Sequence, residues 1–479
     1  MESSERIELI EKLNKYESVF PVEEWKVGDI QVWPLIKVQV FFICFKNKKI
    51  SKSQKNSFGK KFLIKIKSKG GGLVKLIFSI YHFLLFRPKE SRILFSGAST
   101  HRVLFNSQYI NRYYQLILEY LQKKNIHYEI FEYQGLVNQN LDAEYIYKIL
   151  PLFKKKHSLS YLMNDPGFRS FLEVLKKETG IETEDFLVGL KQGVENIDSW
   201  ANLYGYIFNK TKAKYTIGLC YYSNPMFGMN LAAKRMGVIS IDFQHGTQGP
   251  LHFAYTFTKK PVGGYNILPN QFWCWDEESA DHLKSWILHD HTVKIVGNPW
   301  IKFIAEQQFD EYHLPIDKPI ILFTHQPLKP ILDSYLLETI KSTKNKYHWW
   351  IRVHPRVSSQ EYDELKALIS EWGLNDSIEL NKSSIYPLPY LLNQVSVHIS
   401  KYSGSVIEGV LQRTPSIILE EIGVNSFRNY IDSKYVYGLP KPTSKDLQVL
   451  IAKLADLKLP RVDTEKGKSD IKGVLDEII

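Results

Sequence analysis

From residue 92 onward the chain alternates short apolar runs with stretches of helical periodicity, and this alternation restricts the fold more than any other feature. Such a pattern marks strand–helix–strand units, whose parallel sheets carry helices on both faces. Residues 92–95 form an apolar run ending in Ser96-Gly97-Ala98-Ser99, after which Tyr113, Leu116, Ile117, Tyr120 and Leu121 recur at helical spacing. Residues 127–133 read as a second strand, and residues 138–211 as mixed and mostly helical. A strand at 215–219 precedes Asn224, an N-cap, and Pro225 at the first helical position, with Gly237 as the stop. The next strand, 238–243, runs into Gln244-His245-Gly246. A second series follows the loop at Gly263-Gly264, with strands predicted at 271–275, 293–296, 319–324, 347–353, 377–380, 395–399 and 416–419. Helices are predicted at 360–372, 405–412 and 444–457. The fold class is therefore α/β, two doubly wound Rossmann-like domains at residues 91–262 and 263–460, with an N-terminal extension at 1–90 and a tail at 461–479.

The chain has 479 residues, enough for at least two cores. Its 44% hydrophobic and 24% charged content excludes a collagen, a wholly disordered chain and a small disulfide scaffold. Three cysteines, Cys44, Cys220 and Cys274, fit a reducing cytoplasm better than a secreted framework. The net charge of +11 is concentrated: residues 46–89 hold 13 Lys or Arg and no acid, leaving the remainder at −2. This argues against a protein-wide nucleic-acid surface and for a local anionic partner. Residues 72–86 form an apolar, aromatic-rich stretch containing Lys75 and followed by Arg87 and Lys89. It is too short to span a bilayer and suits its interface, on the inner face of the cell membrane. A buried helix after a Lys-rich loop at 51–72 is the alternative. The N-terminus lacks the apolar region of a signal peptide.

Ligands of doubly wound sheets bind beyond the carboxyl ends of the strands. Arg352, His354 and Arg356 alternate there and would line one side if the extended backbone continued, a set suited to phosphate. Ser403, Gly404 and Ser405 open a helix whose free N–H groups attract anions, and Glu408 one turn on is placed to accept from ribose hydroxyls. Ser405 and Glu408 also fit a capping box that needs no ligand. His245, at a strand end beside Gly246, is placed as a general base. Asp242, on the opposite face by alternation, reads as structural, with an acid/base role as the alternative. Gln244, Ser96, Gly97 and Ser99 in the first domain, and Thr324, His325 and Gln326 in the second, are further candidates at strand ends. His289-Asp290-His291 diverges too much to hold a metal, and no Asp-x-Asp, P-loop, G-x-G-x-x-G or paired C-x-x-C motif occurs.

These residues together resemble those of GT-B glycosyltransferases over residues 90–460. Gln244-His245-Gly246-Thr247 resembles the histidine-glycine motif of bacterial CDP-glycerol glycerophosphotransferases and capsule polysaccharide transferases. His354-Pro355 resembles the motif of bacterial sialyltransferases and capsular Kdo transferases that contacts the nucleotide phosphate. Ser403-Gly404-Ser405 with Glu408 is similar to the serine loop and ribose-binding acid of many GT-B enzymes and of nonhydrolysing UDP-sugar 2-epimerases. An acidic motif of the sialyltransferase N-terminal domain has no clear counterpart. The resemblance implies a GT-B-like fold with two domains facing a cleft. It implies a metal-independent transferase moving a sugar from a CMP-, CDP- or UDP-linked donor to a glycan or lipid-linked acceptor, without a cofactor. His245 would be the base, and Arg352, His354, Arg356, Ser403, Ser405 and Glu408 would hold the donor. A UDP-sugar 2-epimerase is the rival of the same fold, and a noncatalytic nucleic-acid-binding protein the rival of another class.

Overall fold

The computed structural model describes residues 3–51, 71–135, 143–287, 291–309, 312–431, 435–457 and 471–479. The chain divides into two compact units, residues 1–296 with 471–479, and residues 297–470.

The first unit is built on seven parallel strands. They are β1 (Ile93–Ala98), β2 (Tyr128–Gln134), β3 (Glu144–Tyr145), β4 (Tyr215–Leu219), β5 (Ile239–Phe243), β6 (Gln271–Cys274) and β7 (Thr292–Ile295), in the spatial order β7-β6-β5-β4-β1-β2-β3. The last two strands correct the expected boundary at residue 262. Trp273 of β6 pairs with Phe243 of β5, and β7 pairs along β6, so both complete the first sheet. Their apolar runs look like any parallel strand's, and neighbouring pairing rather than a local signal decides which sheet they join.

Residues before the sheet are not a detached extension. Helix α1 (Ser3–Val19) and helix α2 (Trp33–Ser51) bury Leu9, Leu13, Tyr16, Trp33, Ile36 and Val40 in the same core as Phe168, Phe171 and Ile197. Trp25 stacks edge-on against Phe168, with ring centroids 5.1 Å apart. Charge fixes the junction too. Glu17 accepts from Lys37 Nζ at 2.6 Å, Trp33 Nε1 at 2.9 Å and Thr258 Oγ1 at 2.7 Å, and the Glu17 and Lys37 side chains are closed to solvent. Burial pushes the Lys37 ammonium below its ordinary pKa, so it depends on that carboxylate for its charge. At the other end of the chain, helix α11 (Ile471–Asp476) returns to this unit, where Ile471, Leu475 and Ile478 are buried.

Helix α3 (Gly71–Leu85) differs in character. Ser79 is buried, but Val74, Ile77, Phe78, Tyr81, Leu84 and Leu85 all stand exposed. The Lys-rich segment at 52–70 lies outside the described residues, as do residues 136–142. The long helix α5 (Thr183–Thr211) and helix α6 (Asn224–Met236) pack together, Gly228 lying so close to Trp200 that a side chain there would clash. Helix α6 begins one residue earlier than predicted, with Ser223 as N-cap, and stops at Gly237 in the left-handed conformation, as predicted. Helix α4 (Gln115–Lys123) buries Leu116, Ile117, Leu118 and Leu121.

The second unit carries six parallel strands: β8 (Ile320–Thr324), β9 (His348–Arg352), β10 (Ile378–Glu379), β11 (Val397–Ser400), β12 (Ser416–Ile418) and β13 (Val436–Gly438). Their order is β10-β9-β8-β11-β12-β13. Helices α7 (Ser334–Thr343), α8 (Ser359–Glu371), α9 (Ser405–Leu411) and α10 (Ser444–Ala455) flank it, and Trp349, Ile351, Leu447 and Ile451 share one core. Both sheets therefore count outward from a first strand in two directions, the doubly wound arrangement.

Candidate functional site

In each sheet the winding reverses beside its first strand, between β8 and β11 in the second unit and between β1 and β4 in the first. Connections leave that point in opposite directions, and in sheets of this kind ligands bind at the carboxyl ends of the two strands there.

In the second unit, Thr324 at the end of β8 lies in register with Arg352 of β9 and Ser400 of β11. The loops beginning at residues 325, 353 and 401 thus leave the sheet side by side. Gln326 Oε1 accepts from Tyr402 N at 2.9 Å, and His325 N donates to Arg352 O at 2.9 Å. His325, His354 and the Ser403-Gly404-Ser405 turn gather at this edge. His325 is buried, and that burial lowers its pKa. His354 is half-buried.

Three of the expected phosphate donors are placed differently. Strand β9 stops at Arg352, and His354 to Val357 form a turn closed by Val357 N donating to His354 O at 3.0 Å. Pro355 takes the second turn position that its fixed φ favours, so the alternation assumed for an extended run is lost. Arg356 is consequently exposed. Arg352 turns inward, Nη1 donating to Ser383 O at 2.6 Å and Tyr386 O at 2.5 Å. The third is Ser405, whose hydroxyl lies 3.1 Å from Thr324 Oγ1 and 3.4 Å from His398 Nε2. Thr324 Oγ1 itself lies 3.0 Å from His398 Nε2. Both hydroxyls lock the loop onto the sheet from inside. His398, which sequence reasoning passed over, anchors this network. Its Nδ1 lies 3.0 Å from Ser416 Oγ, and burial lowers its pKa to about 3, so it stays neutral. The capping box does not form: Gly404 is the N-cap without a side-chain bond, and Ser405 is already helical. Ser405 N donates to Ser403 Oγ at 3.3 Å. Glu408 is buried in the first turn of α9.

In the first unit the loops after β1, β4 and β5 converge. Phe95 of β1 pairs with Ile217 of β4, and Leu219 with Phe243 of β5. His101, Cys220 and His245 follow these strands. His245 Nε2 lies 2.8 Å from Cys220 Sγ and 3.4 Å from Tyr222 Oη, while Nδ1 has no hydrogen-bond partner among the described residues. His101 Nε2 approaches the same sulfur at 3.9 Å, and its Nδ1 accepts from Ala98 N at 3.3 Å. The chain folds back after Gly97, where a Cβ would stand in ordinary contact, 3.4 Å, from His101 Nδ1. Arg112 donates to Tyr113 Oη at 2.6 Å, and Tyr113 donates to His245 O at 2.9 Å. Desolvation first, and then the Arg112 charge, lower the His245 pKa to about 4. Desolvation, with His245 and Arg112, lowers His101 to about 3. Both imidazoles are neutral at ordinary pH.

The other first-domain candidates serve the scaffold. Ser96 is buried, donating to Phe131 O at 3.0 Å, and Ser99 is buried at the start of a short 3-10 turn. Gln244 is fully enclosed, donating to Gly246 O at 2.9 Å and accepting from Trp275 N at 2.6 Å. It braces the His245 loop. Asp242, read as structural from its face, is fully buried. It accepts from Tyr221 N at 3.1 Å and Tyr255 Oη at 2.7 Å, and burial raises its pKa to about 7. Cys220 and His101 were missed. Cys220 was nevertheless legible as the residue directly after a predicted strand, whereas His101 needed the fold-back at Gly97. Of His289-Asp290-His291, only His291 is described, and its Nδ1 lies 2.6 Å from Pro269 O.

The fold is thus α/β and GT-B-like in its composition of two doubly wound units. No protein-family model and no curated protein matches the chain. Among solved structures it is similar to the UDP-GlcNAc 2-epimerase from Methanocaldococcus jannaschii, at 12% identity over 81% of this chain and 98% of that one, with a TM-score of 0.49. It is also similar to the glycotransferase of kitacinnamycin, at 10% identity over 82% and 95%, TM-score 0.43. Sucrose-phosphate synthase from Thermosynechococcus elongatus matches at 14% identity over 77% and 90%, TM-score 0.41.

Proposed function

We propose that the chain is a glycosyltransferase that takes a sugar from a nucleotide-activated donor and passes it to a glycan or lipid-linked acceptor. The observation that carries this reading is the repeated sheet order, with chemically different groups at the two reversal points. The second unit presents His325, His354 and the Ser403-Gly404 backbone beside β8 and β11, a polar edge suited to phosphate oxygens. The first unit presents a neutral imidazole, His245.

In the reaction, the second unit holds the donor's phosphates, and its N–H and imidazole donors stabilise the negative charge that grows as the sugar–phosphate bond breaks. Glu408 is assigned to the ribose hydroxyls. His245 takes the proton from the acceptor hydroxyl, a contribution of about a hundred- to ten-thousandfold in rate. Its low pKa keeps the imidazole unprotonated before the reaction, at the expense of basicity. The donor nucleotide is CMP, CDP or UDP. Incubation with each sugar nucleotide and a polysaccharide or glycolipid acceptor tests the reading, with acceptor-dependent nucleotide release as the expected result. Turnover of UDP-N-acetylglucosamine without acceptor would instead identify a 2-epimerase.

We further propose that α3 rests in the interface of an anionic membrane and brings the enzyme to a lipid-linked acceptor. No helix among the described residues is long and apolar enough to cross a membrane. The exposed apolar side chains of α3, Ile77 at 58% and Leu84 at 60% among them, are instead suited to shallow insertion. The 13 basic residues at 46–89 would each add about 1 kcal/mol at an anionic surface.

A further inference from the structure

Cys220 sits where strand β4 turns into helix α6. It adopts a left-handed backbone, φ +56°, that non-glycine residues seldom take. Ser223 N donates to Cys220 O at 3.1 Å, closing the turn, and Phe227 N donates to Ser223 O at 2.8 Å, starting the helix. Tyr221 N, next along, is held by Asp242. A strand, a constrained residue and a helix in succession lift one side chain to the carboxyl edge of the sheet, as a nucleophile elbow does. The side chain lifted here is a thiol, half-buried, 2.8 Å from the Nε2 of a histidine on the adjacent strand's loop.

We infer that Cys220 and His245 form a nucleophilic thiol–imidazole pair, and that Cys220 is a modification site for soft electrophiles. The general basis is that sulfur attacks with its S–H proton removed, and a neighbouring base accepts that proton as the attack proceeds. With a haloacetamide, the sulfur lone pair attacks the methylene carbon as the S–H proton passes to His245 Nε2, so the weakly basic imidazole acts within the attack and holds no standing thiolate. An S–C bond forms, the C–I bond breaks, iodide leaves, and the imidazolium returns its proton to water. The two other cysteines lack this setting. Cys274 is buried in the sheet, where burial pushes its thiol pKa well up, and Cys44 lies on α2. The inference does not depend on sugar transfer, since it concerns only the reactivity of the sulfur.

The test is competitive labelling of the full-length chain with limiting iodoacetamide at pH 7, native and in urea, with each cysteine quantified by peptide mass spectrometry. Burial and exclusion only slow a thiol, so a native rate above the unfolded rate reports activation. Cys220 is expected to react about tenfold faster in the native chain than in urea, and Cys274 more slowly. In His245→Gln, the native Cys220 rate should fall to or below its unfolded rate while Cys44 is unchanged. A native Cys220 rate below the unfolded rate in the wild-type chain overturns the inference without recourse to any variant. So does full retention of the rapid rate in His245→Gln.

Discussion

At the scale of single residues, burial decides what the histidines do. His398 makes its hydrogen bonds to hydroxyls within the second unit, and its folded pKa of about 3 lies well below the value of about 6.5 in an unfolded chain. A depressed histidine stabilises the fold fully above pH 6.5 and progressively less as pH falls toward 3, at a rate of about 1.4 kcal/mol per pH unit. The second unit is therefore expected to lose stability between pH 7.5 and 5, and His398→Asn to flatten that loss. Urea unfolding at the two pH values checks this, and parallel losses in both proteins would contradict it. The first unit gives a less direct reading. Asp242, raised to about 7 by burial, opposes His245 and His101, because its stabilisation is present at low pH and lost as pH rises through 7. For the reaction, His245→Ala should lower turnover by about a hundred- to ten-thousandfold with nucleotide affinity retained. Near-normal turnover would remove the base assignment.

At the scale of elements, α1 and α2 show what the sequence conceals. Their polar flanks and the basic run that follows resemble an appendage, yet Glu17 and Lys37 form an enclosed ion pair that ties both helices to residues 256–258. Glu17→Ala leaves the Lys37 ammonium without its carboxylate and is expected to destabilise the first unit by about 3–5 kcal/mol. Equilibrium unfolding would show it, and an unchanged midpoint would contradict it. Helix α3 is the opposite case, an apolar helix that remains exposed. Replacing Ile77, Phe78 and Leu84 by Glu should abolish sedimentation with anionic vesicles while leaving the melting temperature near wild type. Undiminished sedimentation would end the membrane proposal. The alternating pattern made the strands and the Gly237 stop readable, because local chemistry sets them. The direction of Arg352 was not readable, since it depends on carbonyls at residues 383 and 386, and Ser405 was misread because its partners Thr324 and His398 come from other strands.

At the scale of the molecule, the first unit is discontinuous: its final nine residues return after the whole second unit has been threaded. Removing residues 471–479 deprives that unit of three buried side chains, Ile471, Leu475 and Ile478, each worth about 1.5–3 kcal/mol. Truncation after Asp470 should therefore lower the first unit's melting temperature, and an unchanged melt would contradict this placement of α11. The tail is unreadable from sequence, where six helical residues after a polar stretch carry no address. What both units share is the reversal of strand order, and the functional account rests on the second unit's reversal point holding a nucleotide's phosphates. Calorimetric titration with CMP, CDP, UDP and GDP tests this most directly. The account predicts that CMP, CDP or UDP binds, that His354→Ala weakens that binding by at least about tenfold, and that His245→Ala leaves it within about twofold. Absence of binding by all four nucleotides, or undiminished binding by His354→Ala, would contradict it.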